Sequence, residues 1–339
     1  MADGRERDSG GSEVINRVIA ILSGAALLGA IFATPNVTRA GSPTWYVGPN
    51  THVSGGSCED PDFSPDGVND QDEVQAAVDA ATAGDTIILC EGTFFFEEQV
   101  SIGIDLTFIG AGEEGTVIDG QDTTRLFNST ANLTLESMTL QDANSTGMND
   151  CSDANWRDGG AVCVNGTASL RSTQFLNNYS AEYGGAVAAG EVRIARSVFT
   201  GNVAKNNGGA VATESLSGAE SAIDMSVFSD NIAAEDDGGA VWTSERDMLT
   251  ISRSQFTGNQ ADDDGGAVVA FDLNVARSRG NLFRANVAGD LGGALYVHSN
   301  RPSDAAKLKR ANRFYRNQSA KRSASDIFVN RSSGGGGEG

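Results

Sequence analysis

FTGNQADDDGGAV runs from Phe256 to Val268, and FTGNVAKNNGGAV runs from Phe199 to Val211. The two segments share a Phe, an Asn, a double Gly, an Ala and a Val in one register. A chain repeats such a phrase when successive units must turn the same corner, so an internal period is the first thing to establish.

The phrase recurs along the chain. Double Gly followed by Ala and an aliphatic residue begins at Gly159-Gly160, Gly184-Gly185, Gly208-Gly209, Gly238-Gly239, Gly265-Gly266 and Gly292-Gly293, in steps of 25, 24, 30, 27 and 27 residues. Phe-x-x-Asn places Phe175 with Asn178, Phe199 with Asn202, Phe228 with Asn231, Phe256 with Asn259, Phe283 with Asn286, and Phe314 with Asn317. From Asn178, Asn202, Asn259 and Asn286 the next double Gly is six residues on; from Asn231 it is seven. Most of the length variation lies between the Gly-Gly-Ala strand and the next Phe. One corner of the repeat is rigid, and the opposite connection accepts insertions, such as Thr213 to Ile223 and His298 to Lys307.

Within each unit, runs such as Leu133-Thr-Leu135, Val192-Arg-Ile194 and Leu249-Thr-Ile251 alternate with period two, the mark of a half-buried strand. A unit of about 27 residues holds three strands of four or five residues plus turns, which is one rung of a parallel β-helix. Leucine-rich repeats would show a Leu scaffold, calcium-binding nonapeptide rolls a shorter period, and propeller blades about 40 residues. In a β-helix the Phe points inward and stacks between rungs. The Asn sits at a bend and bonds backbone and neighbouring rungs, as Asn ladders do. The double Gly supplies positive φ or close backbone approach, and its Ala fits the crowded interior.

The ends suit the same architecture. Gln71 to Ala83 places Val74, Ala77, Val78 and Ala81 at helical spacing before Gly84, a helix able to cover the open first rung. Residues 41–84 are an entry segment with this capping helix, 85–331 the β-helix, and 332–339 a flexible tail. Residues 1–40 carry the apolar run Val18 to Ala33 and a small-x-small pattern at Thr38-Arg39-Ala40, which fits a signal peptide or signal anchor. The chain ends soon after its last repeat, so no C-terminal membrane barrel is expected. Cys58, Cys90, Cys151 and Cys163 form an even set suited to an oxidising compartment, and the expected pairs are Cys58–Cys90 and Cys151–Cys163. No CxxC occurs and the chain has 2 His, so zinc is not expected.

The paired GGA(V/L) and FxxN phrases resemble the polymorphic outer membrane protein repeats of chlamydial surface proteins. The entry segment VQAAVDAATAGDTIILCEGTF resembles the start of secreted right-handed β-helices of the pectin-lyase-like type. The resemblance spans Val74 to Val329. It implies an all-β, single-stranded right-handed parallel β-helix that is exported and acts in adhesion. The residues that match are the six Gly pairs with their Ala, and the Phe and Asn of the six FxxN phrases.

Charge narrows the partners. The formal net charge is −21, which argues against nucleic acid. The segment from Arg301 to Arg331 is basic instead, with nine Lys and Arg, and reads as a solvated end or as a contact for an anionic envelope polymer or an acidic neighbour. Glu235-Asp236-Asp237 and Asp262-Asp263-Asp264 precede successive double glycines and would stack into an acidic column. That column is read as a polar turn, with calcium as the sharper alternative. Tyr183 and Trp242, near the loops, could stack on sugar rings. The expected function is non-enzymatic and adhesin-like, binding a glycan or a cell-surface protein. A monomer is expected, with no cofactor, no catalytic residue and no assigned metal ligand, and with membrane contact only through the N-terminal apolar segment. The alternative is a polysaccharide lyase or glycoside hydrolase on the same fold, assisted by calcium. A hydrolase would require two carboxylates across the scissile bond.

Overall fold

The computed structural model describes residues 44–48, 57–64, 69–148, 158–214, 218–299, 301, 303–321 and 326–330. The expected export segment, Cys151 and the expected tail lie outside them.

The strands stack as a parallel β-helix of about eight turns. One turn shows the plan. Val241–Ser252 crosses two faces, Gln255–Thr257 forms the Phe face and Gln260–Ala261 a short fourth side. Val268–Leu273 then begins the next turn one rung further along. We call its first residues, which continue Val211, Val241 and Val268, the Val face. The three long faces form one 21-stranded sheet and the short side a separate 6-stranded one. The strands therefore depart from the expected three of four or five residues. Segments such as Val162–Leu176 run on around corners, whereas the Phe face keeps three residues because a polar ladder fixes the bend at each of its ends.

The Phe face carries the core. Register aligns Leu140, Phe175, Phe199, Phe228, Phe256, Phe283 and Phe314 in one inward column. Successive rings from Phe175 to Phe314 stack at 4.7, 4.7, 4.8, 5.0 and 5.0 Å, within 11° of parallel. The rung spacing of about 4.8 Å imposes this offset stack, and each buried ring contributes roughly 2–3 kcal/mol from area alone. Opposite it, Ala161, Ala186, Ala210, Ala240, Ala267 and Ala294 are fully buried.

Two polar ladders bound the Phe face. At its far end each Asn amide from Asn202 to Asn317 uses all four of its bonds. Asn259, for example, accepts from the backbone N–H and Nδ2 of Asn231 (3.1 and 2.9 Å). It donates to the Phe228 carbonyl (3.1 Å) and to Asn286 Oδ1 (2.9 Å). The ladder begins at the Ala143 N–H and ends where Asn317 Nδ2 meets Asp326 Oδ1 at 3.2 Å. At the near end stands a second ladder that the repeat pattern had not revealed. Ser197, Ser226, Ser254, Asn281 and Asn312 each accept the backbone N–H of the preceding rung, at 3.3, 3.2, 3.1, 2.9 and 3.0 Å.

The double glycines divide their work. Gly265 has φ +63°, a left-handed bend, whereas a Cβ on Gly266 would lie 2.4 Å from the Gly293 carbonyl oxygen of the next rung. The first Gly serves conformation and the second serves rung-to-rung approach.

The N-terminal end is closed by helix α1, Gln71–Ala80, which buries Val74, Ala77 and Val78. Its side chains take the place of a missing strand. Gln75 accepts from Ser101 N (2.7 Å) and donates to Ser101 O (3.1 Å), and Asp70 accepts from Phe95 N (2.7 Å). The open edge of the first rung is thereby satisfied. Cys58 and Cys90 are disulfide-bonded as expected, tying the entry segment to the first turns. Cys163 is fully buried, and its expected pairing falls on Cys151, outside the described residues. Where the repeats are still forming, Arg125 is fully buried, ion-paired with Asp158 and bonded through Nε to the Gly159 carbonyl at 2.9 Å. Among the described residues no helix is long and apolar enough to cross a membrane.

Candidate functional site

Side chains alternate across a strand, so the outside of the Val face repeats the same columns at each turn. Register sets Trp242, Val269, Tyr296 and Phe328 in one column. Phe271 and His298 share the next, stacked 4.2 Å apart and 15° from parallel. The contacts continue from Tyr183 to Trp242 (6.1 Å), Trp242 to Phe271 (6.2 Å), His298 to Tyr296 (5.2 Å) and Tyr296 to Phe328 (5.3 Å). Six half-buried rings thus form a band on the outer surface, where they add nothing to the Phe core.

Beside the band lies a groove of about 720 Å³, lined by Phe271, His298, Glu245, Asp272, Arg301 and Lys307 among others. The insertion after His298 builds its wall. That insertion is not a simple loop but contains helix α2, Asp304–Ala311. Leu308 anchors the helix in the core, and Asp304 ties its start to the strand end, accepting from Ser299 Oγ (2.6 Å) and Lys307 Nζ (2.8 Å). Burial pushes the Asp304 carboxyl up, but these hydrogen bonds and the charges of Lys307 and Arg301 outweigh it and hold the group below its ordinary value. Burial also holds the His298 imidazole below its ordinary value, against the smaller pull of Glu245. His298 is therefore a neutral ring at neutral pH, a stacking surface with a polar edge. An aromatic floor with charged and amide groups at its rim suits a sugar, whose C–H face stacks and whose hydroxyls bond.

The acidic column is real as geometry. Oxygens of Asp236, Asp237 and Asp263 lie within 4.8 Å of one another, as do those of Asp263, Asp264 and Asp290. Most of these carboxylates already have work. Asp237 accepts the Asp264 N–H and Asp264 accepts the Leu291 N–H, both at 2.9 Å. Asp236 accepts from Asn207 Nδ2 at 2.8 Å, and Asp290 from Lys321 Nζ at 2.7 Å. The column is a third ladder, with Asn207 in the same role one rung earlier, accepting the Asp237 N–H at 3.1 Å. Burial, opposed by the Asp264 N–H and reinforced by the charges of Asp236, Asp264 and Asp263, pushes Asp237 up to about 7. Burial likewise pushes Asp264 up to about 6, with Asp263 and Asp290 adding and the Leu291 N–H and Lys321 opposing. These acids explain themselves as structure, and no metal is assigned to them.

Of the residues the sequence singles out, Tyr183 and Trp242 are brought together in the aromatic band. The acidic triplets are stacked as expected, and the Phe, Asn and Gly positions are architectural. Phe271 and His298 escaped notice although each stands six residues after the first Gly of its pair, Gly265 and Gly292. The Ser/Asn ladder likewise stands two residues before each Phe from Phe199 to Phe314.

Residues 196–214 match the family model described as the Chlamydia polymorphic membrane protein (Chlamydia_PMP) repeat. The matched segment holds Ser197, Phe199, Asn202 and Gly208-Gly209-Ala210, one residue from each structural column described above. Neither a curated protein nor a solved structure matches the chain. The same columns recur in register in the neighbouring rungs, so the chain is a parallel β-helix whose repeat is similar, over residues 196–214, to the polymorphic membrane protein repeat.

Proposed function

We propose that the chain is an exported, non-enzymatic, adhesin-like β-helix that acts at a cell surface and binds a glycan in the groove floored by Phe271 and His298. The repeat family supports a surface protein of this kind. The observation that carries the glycan reading is the Phe271–His298 stack, continued by Trp242, Tyr296 and Phe328 on the outer Val face and by Tyr183 at the turn beside it, and bordered by Glu245, Asp272, Arg301 and Lys307. Binding is favoured over hydrolysis because a general acid needs a raised pKa. Asp304, in the groove, is held low, and none of the carboxyls held above the ordinary value, Asp142, Asp230, Asp237, Asp263 and Asp264, lines the groove.

The test is a glycan array probed with the purified protein and with F271A. Retention of one glycan class by the wild type and its loss in F271A supports the reading. Equal retention by both removes the groove from it. Products released from polygalacturonate or alginate above a heat-killed control would replace it with the enzymatic alternative.

A further inference from the structure

Beyond residue 289 the described carboxylates are Asp290, Asp304 and Asp326, and each has a lysine: Lys321 at 2.7 Å, Lys307 at 2.8 Å and Lys309 at 3.9 Å. The arginines of the same rungs are left out of these pairs. Arg279, Arg284, Arg310, Arg313 and Arg316 are exposed and make no ion pair among the described residues. Arg253, one rung earlier, is different, since Asp224 holds it through two hydrogen bonds at 2.9 and 2.5 Å.

The fold gathers these five arginines. A backbone bond from Gly280 N to Ala311 O (2.8 Å) sets Arg279 beside Arg310 on adjacent rungs. On the Phe face, Arg313 pairs in register with Leu282, and Tyr315 with Arg284. Phe314 points inward between them, so Arg313 and Tyr315 point out. Tyr315 is 48% exposed, an unusual exposure for a large ring on this protein. Two guanidinium groups lie over it, Arg316 at 4.9 Å and Arg284 at 5.9 Å from the ring centre. A guanidinium laid on an aromatic face keeps its N–H edge free for an oxyanion. The result is an exposed patch in which Arg279 neighbours Arg310 across two rungs while Arg284 and Arg316 flank Tyr315.

We propose that this patch is an anion-binding site for a linear polysaccharide carrying sulfate or carboxylate groups. Planar guanidinium forks match both groups in bidentate fashion. The rest of the molecule sets the shape of the partner. With a formal net charge of −21, a broad polyanion such as duplex nucleic acid would meet repulsion outside the two basic rungs. A thin chain laid across those rungs touches only the cations. The site lies on Leu282–Arg284 and Arg313–Tyr315 and at the turns beside them. None of its five arginines lines the groove, although Arg310 stands at the far end of helix α2, whose first turn lines it.

Fluorescence anisotropy at low salt with labelled oligosaccharides tests it, using a sulfated heparin-type octamer, a galacturonate octamer, a neutral cello-oligomer and single-stranded DNA of similar length. Wild type is expected to bind at least one of the first two, more weakly as salt screens the charges. R313E/R316E and R279E/R310E should each weaken binding about ten-fold or more, and R313K/R316K by a few-fold through loss of the fork. K205E should bind as wild type, and repeating the charge-reversal comparison in the F271A background separates failure of this site from failure of the groove. The altered side chains are exposed, and an unchanged thermal midpoint checks that the fold is intact. The sulfated and galacturonate arms tell which anionic group is preferred. The proposal is overturned if neither binds, if the charge-reversed variants bind like wild type, or if, in the F271A background, DNA or the neutral oligomer binds as tightly as the better polysaccharide.

Discussion

Asn202 Nδ2 donates to Asn231 Oδ1 at 2.9 Å, and the same bond recurs at 2.9 Å from Asn178 through Asn317. Removing one member orphans partners on two rungs. In Asn259→Ala the Asn231 N–H and Nδ2, the Phe228 carbonyl and Asn286 Oδ1 all lose a bond in a dry interior. A buried polar group without a partner costs about 1–3 kcal/mol, so the variant should lose about 3 kcal/mol or more. Asn317→Ala, at the ladder's end, should lose less. Urea denaturation with an unchanged slope checks both. A loss for Asn259→Ala of only about 0.5 kcal/mol, typical of surface positions, would contradict the ladder.

Glycines with similar φ should answer differently to substitution. Gly258 (φ +70°) occupies a left-handed position that Asn177, Asp230 and Ala285 fill on other rungs. Its Cβ would meet only the Asp230 side chain, which can move. Gly258→Asn is expected to change stability by no more than about 1 kcal/mol. Gly266→Ala would drive a Cβ into the Gly293 carbonyl oxygen at 2.4 Å and into Val287 backbone at 2.6 Å. Because rungs cannot separate locally without breaking their ladders, it should cost about 3 kcal/mol. Thermal denaturation of the pair tests the contrast.

Much of this architecture was legible because β-helix columns convert contact into sequence period. Phe256 and Asn259 repeat because each touches its own copy, and such positions cannot drift independently. Ser254 repeats as well, but the ladder role is shared by Ser and Asn, so Ser254 and Asn281 look unrelated until each is seen to accept the backbone N–H of the preceding rung. The functional surface was harder to read for the opposite reason. Phe271 and His298 make a single stack rather than a column, and one pair gives no period. Helix α2 lay hidden because an insertion carries no repeat phase, although Ala305 and Leu308 sit on its inner side. Arg125 was silent too, since a buried ion pair with Asp158 has no signature in either residue alone.

The acidic ladder should make the protein more stable as pH falls. Asp237, at about 7, and Asp264, at about 6, hold protons in the folded state that the unfolded chain releases above its ordinary carboxylate value near 4. Between those values the folded form binds more protons, so stability decreases as pH rises from about 5 to 8. The penalty is complete above the folded values and vanishes below the unfolded one. Lys321, beside Asp290, moderates it. The thermal midpoint should be roughly 2–4 °C higher at pH 5 than at pH 8. D237N/D264N should flatten that dependence. A midpoint that rises with pH in the wild type, or an unaltered slope in the variant, would place the effect elsewhere.

The groove makes its own pH prediction, of opposite character. Burial holds His298 below its ordinary value, so the imidazole is mostly neutral from pH 7.5 to 8.5 and its stack on Phe271 is unchanged there. Binding of a neutral glycan through that stack should vary less than about two-fold over this range. H298F keeps the ring and should retain most of the affinity. H298A and F271A each remove one face of the stack and should weaken binding about ten-fold, as the loss of an aromatic contact of about 1.5 kcal/mol implies. Isothermal titration with the glycan found on the array measures all four. If H298F loses binding as fully as H298A, the imidazole acts through its polar edge rather than as a stacking ring.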